Sequence, residues 1–72
     1  MEMEEKFKRY VIIQYSGMYN MVMDAYKVMD LTRINLKDYC YIQEHYGELM
    51  KEYSNTYEEA VKTGKEMQKN IY

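Results

Sequence analysis

The chain has 72 residues, enough for one small domain and too few to bury a large core. It contains one cysteine and one histidine, so neither a disulfide nor a structural metal site is expected to stabilise it. Its formal net charge of −2 includes no basic excess, which argues against binding nucleic acid through phosphate contacts. We expect a single domain over residues 1–72 that is stabilised by association with another protein.

The location of the protein is suggested by the same composition. A lone cysteine is typical of a reducing compartment, and the first residues do not resemble a signal peptide. Residues 10–29 are strongly hydrophobic, with 14 of 20 positions apolar or tyrosine. Asp24 and Lys27 interrupt them, and each charge would cost about 2.5–3.5 kcal/mol inside a bilayer. We therefore expect a cytoplasmic protein without a membrane span.

The first half of the chain is predicted to be helical from about residue 3 to residue 30. Its apolar residues recur at alternating spacings of four and three, the period of a helix face. An alternative is a short strand or extended arm before Ser16, because residues 10–13 are rich in β-branched side chains. In that case Ser16 and Gly17 would form a break, with Ser16 capping the helix that follows.

A second helix is predicted to begin at Leu36, with Asn35 as its N-cap and Asp38 in its first turn. Beyond Tyr53 the apolar register shifts, and Ser54-Asn55 has poor helix propensity. The second helix is therefore expected either to bend or break near Ser54-Asn55, giving a third helix, or to continue unbroken. The predicted fold is all-α, a helical hairpin of two long helices.

A heptad-like stripe runs along the second helix, with tyrosines every seven residues and aliphatic residues between them. Such a stripe is typical of helices that pair with another helix. We expect it to mediate self-association, most simply as a homodimer. The residues of this self-association stripe are Tyr39, Ile42, Tyr46, Leu49 and Tyr53.

No set of residues in the sequence indicates a reaction. Cys40 and His45 are five residues apart and point to different faces of the predicted helix, so they cannot form a local catalytic pair. Cys40 is expected to be a small buried hydrophobe. His45 with Glu48 and Glu52 is most simply a solvated polar face rather than a metal site. We expect no enzyme activity, no catalytic residue, no metal and no cofactor.

The chain contains ten tyrosines and eight methionines, an unusual content for so short a sequence. Both residue types are enriched at protein interfaces, tyrosine for its large rigid contact area and methionine for its adaptable shape. Several of them lie on a second face of the first predicted helix. The predicted partner-binding residues are Tyr15, Tyr19, Met21, Met23 and Tyr26. Asp24 and Lys27, three residues apart, are expected to form a partly exposed ion pair.

Two segments carry a resemblance, Gln14-Tyr15-Ser16-Gly17-Met18-Tyr19-Asn20-Met21-Val22-Met23-Asp24 and Asn35-Leu36-Lys37-Asp38-Tyr39. Together they resemble small uncharacterised proteins of phages and prophages in low-GC Gram-positive bacteria. The family has no activity that transfers residue by residue. The resemblance implies a bacterial host as the setting, where small phage proteins commonly bind and block a host protein, including components of antiviral defence.

The function expected from these features is that of a non-enzymatic, dimeric binding protein that inhibits a host protein by occlusion. An alternative is a self-assembling structural or accessory phage protein. A third hypothesis, a small DNA-binding regulator, is disfavoured because the candidate recognition helix beginning at Leu36 is acidic.

Overall fold

Helices are the regular secondary structure of the computed structural model, which describes the backbone of residues 1–71 and the side chains of residues 1–69. The predicted all-α class is therefore confirmed. The described backbone contains no strand, so the extended alternative for the segment before Ser16 is wrong. No described helix is both long and apolar enough to cross a membrane. The helices are α1 (Met3–Ser16), α2 (Ala25–Thr32), α3 (Leu36–Glu44), α4 (Tyr46–Glu52) and α5 (Ser54–Ile71).

The first half is two helices rather than the predicted single helix over residues 3–30. The helix α1 ends where Gly17 adopts a left-handed conformation with φ 71°, which a glycine tolerates without steric cost. The Ser16 hydroxyl donates to the Ile13 carbonyl at 2.6 Å and accepts the Met18 N–H at 3.3 Å. The sequence Ser16-Gly17 therefore forms a stop signal that overrides the continuing hydrophobic period.

Asn20 caps the turn of residues 21–24 that precedes α2. Its side-chain oxygen accepts the N–H groups of Val22 and Met23, each at 2.9 Å. The Asp24 carboxylate accepts the Asn20 N–H at 3.0 Å, so the two side chains cap the turn reciprocally. The Asp24 carboxylate therefore bonds to the backbone and forms no ion pair with Lys27, so the predicted ion pair is wrong. The ion pairs within residues 1–69 are Lys6–Asp38 and Arg9–Glu5.

The second half bends twice. Asn35 is the predicted N-cap, and its side chain accepts the Asp38 N–H at 2.8 Å. Helical hydrogen bonding then continues across two distorted residues, His45 (φ −115°) and Tyr53 (φ −113°). The predicted break near Ser54 is confirmed, but the bend at His45 was not predicted. With three segments in this half, the two long helices of the predicted hairpin are not observed, and the radius of gyration is 11.4 Å.

Helices α1 and α5 run in the same direction and form the main packing contact. Near their starts, the Thr56 hydroxyl donates to the Glu4 carboxylate. Further along, Gly64 lies directly against the Ile12 carbonyl and Tyr15. A Cβ at position 64 would lie 2.6 Å from that carbonyl oxygen and 2.8 Å from Tyr15 Cβ. Only glycine permits this close approach of the two helices.

The core combines aliphatic side chains with a set of aromatic rings from α1, α3, α4 and α5. The ring centroids of Tyr10 and Tyr39 are 5.1 Å apart, and those of Phe7 and Tyr46 are 5.5 Å apart, distances typical of favourable aromatic pairs. The Tyr46 hydroxyl donates to Gln14 at 2.6 Å at the surface. Within residues 1–69, every buried side-chain nitrogen or oxygen has a hydrogen-bond partner. The buried hydrophobic residues are Phe7, Tyr10, Val11, Ile13, Val28, Ile34, Tyr39, Ile42, Leu49 and Ala60.

In the variant Gly64→Ala the added methyl group would lie against the backbone of α1 and force α1 and α5 apart, at a steric cost of about 2–3 kcal/mol. After the gain of about 1 kcal/mol in helix propensity, the free energy of unfolding is expected to fall by about 1–2 kcal/mol. Urea denaturation followed by circular dichroism measures the difference.

The matched control is Gly47→Ala in α4, where a Cβ would have nothing within 4 Å. The free energy of unfolding of this variant should rise by up to about 1 kcal/mol, since only helix propensity changes. Equal effects of the two substitutions would contradict the close contact at Gly64.

Candidate protein-binding site

Three neighbouring apolar side chains project into solvent from the turn that leads into α2 and from the first turn of α2 itself. Val22, Met23 and Tyr26 are 75%, 85% and 79% exposed. Tyr26 follows Val22 by four residues and Met23 by three, so on a helical turn all three share one surface. We call these three residues the tip patch. Solitary exposed apolar residues are ordinary, whereas neighbouring ones that are this exposed indicate a contact surface.

The tip patch rests on a firmly anchored turn. The Met21 carbonyl, in the middle of that turn, accepts the Tyr39 hydroxyl at 2.6 Å and the Gln43 side-chain amide at 3.2 Å. Both donors belong to α3, so they connect the tip to the opposite half of the chain. Together with the Asn20 cap, these bonds hold the turn in one conformation. A preorganised surface loses less conformational entropy when it binds a partner.

Tyr39 connects the core to the tip. Its ring is buried against Tyr10 while its hydroxyl reaches the Met21 carbonyl. Burial, followed by the neighbouring Tyr10, raises the pKa of Tyr39 to about 12. The hydroxyl therefore stays protonated and continues to donate at neutral pH.

The predicted partner-binding residues divide into two groups. Met23 and Tyr26 lie in the tip patch, whereas Tyr15, Tyr19 and Met21 are half-buried and pack against the core. Within this second group, the hydroxyl of Tyr15 lies 2.9 Å from that of Tyr57. The hydrogen bond with Tyr57 and partial burial raise the pKa of Tyr15.

Val22 belongs to the tip patch although it was not among the predicted partner-binding residues. That prediction assumed an unbroken helix from residue 3 to residue 30. The break at Gly17 resets the helical phase, so residues beyond it face new directions. Asn20 after Ser16-Gly17, a residue type favoured as an N-cap, was the signal that could have located the new start.

The predicted self-association stripe packs mostly inside the single chain. Tyr39, Ile42 and Leu49 are buried, and Tyr46 and Tyr53 are half-buried against the core. The aromatic contacts of Tyr39 and Tyr46 are with residues of α1 and α5. Within one chain these residues therefore pack onto α1 and α5, and self-association through the stripe stays a prediction.

Potentially reactive groups are not assembled into a site. Cys40 is exposed, so its expected burial is wrong. It lies roughly 100° around α3 from Tyr39, which points into the core. His45 stacks on Tyr41 with ring centroids 4.2 Å apart. The part of the chain that the structure describes has no group of three metal-binding side chains.

In the variant Tyr39→Phe, the free energy of unfolding is expected to fall less steeply as pH rises through the alkaline range. The pKa of this hydroxyl is about 12 in the folded protein against an ordinary value of 10.0. Its contribution to the free energy of unfolding is therefore complete below pH 10 and is lost as pH rises toward 12. Urea unfolding measured at a series of pH values between 8 and 12 should show a shallower decline for the variant.

The matched control is Tyr26→Phe, which removes a hydroxyl from a side chain that is 79% exposed. Its alkaline decline should follow that of the unsubstituted protein. A Tyr39→Phe variant that declines just as steeply would show that this hydroxyl is not protected by burial.

The chain was compared with protein families, curated proteins and solved structures. No protein-family model, no curated protein and no solved structure matches the chain.

Proposed function

We propose that the chain is a non-enzymatic protein-binding module that uses the tip patch to occlude a surface of a partner protein. The observation that carries this proposal is the exposure of Val22 and Met23, on a turn anchored to α3, and of Tyr26 at the start of α2 directly after that turn. A solvated loop has no need of such anchoring, whereas a contact surface benefits from it.

The chemistry of the tip patch indicates the surface that it fits. Neighbouring apolar side chains at spacings of three and four bind by inserting into an apolar groove or pocket. Each large side chain that becomes fully buried contributes about 1.5–3 kcal/mol. Tyrosine adds a hydroxyl that can bond at the rim, and methionine adapts to irregular surfaces. The partner therefore presents an apolar depression.

The setting follows from the resemblance to small phage and prophage proteins. It favours a host protein as the partner, including a component of antiviral defence, and inhibition in the bacterial cytoplasm. Occlusion is the mechanism that this chain can perform, since covering a functional surface requires no catalytic group.

A second candidate function is self-assembly, as a homodimer or as a structural or accessory protein of a phage. The tip patch favours it because an exposed apolar surface can pair with the same surface of a second copy around a two-fold axis. The site on this chain would be the same, and only the identity of the partner differs.

Photo-crosslinking from the tip patch distinguishes the two candidates. Benzoylphenylalanine at position 26, in a Gram-positive host cell, should give one discrete adduct on irradiation. An adduct with a host protein supports occlusion. A product of twice the chain mass of 8.9 kDa supports self-assembly. Mass spectrometry of the adduct identifies the bound protein.

Two controls make the crosslinking specific. The same photoreactive residue at Glu59, an exposed position on α5, should give no such adduct. Adding Met23→Asp to the position-26 variant should reduce the yield about tenfold or more, because an unpaired charge would have to be buried. No adduct from position 26, or equal adducts from both positions, would count against the tip patch.

A further inference from the structure

A concave surface lies near the start of α1, at the opposite end of that helix from the tip patch. It is a groove of about 500 Å³. Met3, Leu49 and Tyr53 form part of its apolar lining. Tyr41, which is 43% exposed, contributes an aromatic ring whose one face stacks on His45 and whose other face is left for a ligand. The groove therefore offers apolar and aromatic surface for a side chain with a flat or elongated apolar part.

The polar residues of the groove are predominantly acidic. Glu44 and Glu52 are exposed and belong to its lining. Asp38 also borders the groove, but its charge is balanced by an ion pair with Lys6. Lys37 is the one cationic residue of the lining. Two carboxylates that form no ion pair within residues 1–69 therefore flank the aromatic surface.

The negative potential extends over the Tyr53 side of the groove. Partial burial, together with the carboxylates of Glu52, Glu4 and Glu2, raises the pKa of Tyr53. Since these carboxylates disfavour a further negative charge at the hydroxyl, they favour a positive charge placed beside it. The groove thus combines two tyrosine rings with a field that attracts cations.

We propose that this groove binds an arginine side chain carried by a segment of a partner protein. A guanidinium group is planar, stacks on tyrosine rings and donates two parallel hydrogen bonds to one carboxylate. Its aliphatic stem packs on apolar surface while the charged end reaches carboxylates, here those of Glu44 and Glu52. Lysine matches this combination less well, because its ammonium group is compact and strongly hydrated.

This inference is independent of the proposed function. The groove and the tip patch share no residue, so crosslinking at position 26 and binding in the groove can each fail alone.

The test is a titration of the full ¹⁵N-labelled chain with the peptide acetyl-Ala-Ala-Arg-Ala-Ala-amide. The expected result is saturable shifts of the amide signals of Tyr41, Glu44 and Tyr53. A peptide with citrulline in place of arginine keeps the shape and loses the charge. It should bind about tenfold more weakly or worse, the fold-change typical of losing a hydrogen bond to a charged group.

Matched variants separate the groove from general electrostatics. Glu44→Gln with Glu52→Gln should weaken arginine-peptide binding about tenfold. Glu59→Gln with Glu66→Gln removes the same charge from exposed positions on α5 and should change it less than twofold. Circular dichroism verifies that both double variants remain folded.

Four outcomes would overturn the proposal. Equal affinity for the citrulline peptide would show that the charge does not contribute to binding. Equal losses of affinity in the two double variants would show that binding does not depend on the carboxylates of the groove. An absence of saturable shifts would show that the groove does not bind the side chain. Shifts of the same signals on raising the protein concentration without peptide would assign the groove to a second copy.

Discussion

The parallel contact between α1 and α5 is the constraint on which the rest of the structure depends. It places α1 in the centre, so that α2, α3 and α5 all contact it. The contact is possible because Gly64 has no side chain where the Ile12 carbonyl lies. Parallel packing of two helices requires the intervening chain to return from the end of one to the start of the other. The short segments α2, α3 and α4 make that return, which explains why both halves of the chain are broken.

The tyrosines contribute both to the packing around α1 and to the position of the tip patch. Rings provide large apolar area in a chain too short for an extensive aliphatic core. Their hydroxyls, which would be costly if buried alone, end on partners at the edges of the core, as Tyr46 does on Gln14 and Tyr39 does on Met21. Through the second of these bonds, the packing of α3 determines the position of the tip patch. The core and the tip patch are therefore connected through the Met21 carbonyl, which accepts the Tyr39 hydroxyl and the Gln43 side-chain amide.

Local signals in the sequence predicted the features that depend on local chemistry. The all-α class followed from periodicity, the start of α3 from the Asn35 cap, and the break before Ser54 from weak helix propensity and a shift in register. The break at Gly17 was weighed only as an alternative, because the hydrophobic period continues across it. The burial of Tyr39 and Ile42 within the chain depends on contacts between distant segments, which spacing alone does not specify. The same limit applied to the tip patch, whose members Val22 and Met23 face directions set by the Asn20 cap.

An isotope-filtered nuclear Overhauser experiment tests the central contact most directly. It uses an equal mixture of ¹³C-labelled and unlabelled chains and observes the α-protons of Gly64 against the β-protons of Tyr15, which are brought together where α1 meets α5. We expect strong cross-peaks in the spectrum that selects contacts within one chain, and none in the spectrum that selects contacts between labelled and unlabelled chains. Cross-peaks between chains would show that α5 packs on α1 of a second copy. Their absence from both spectra would show that the two helices do not meet at Gly64.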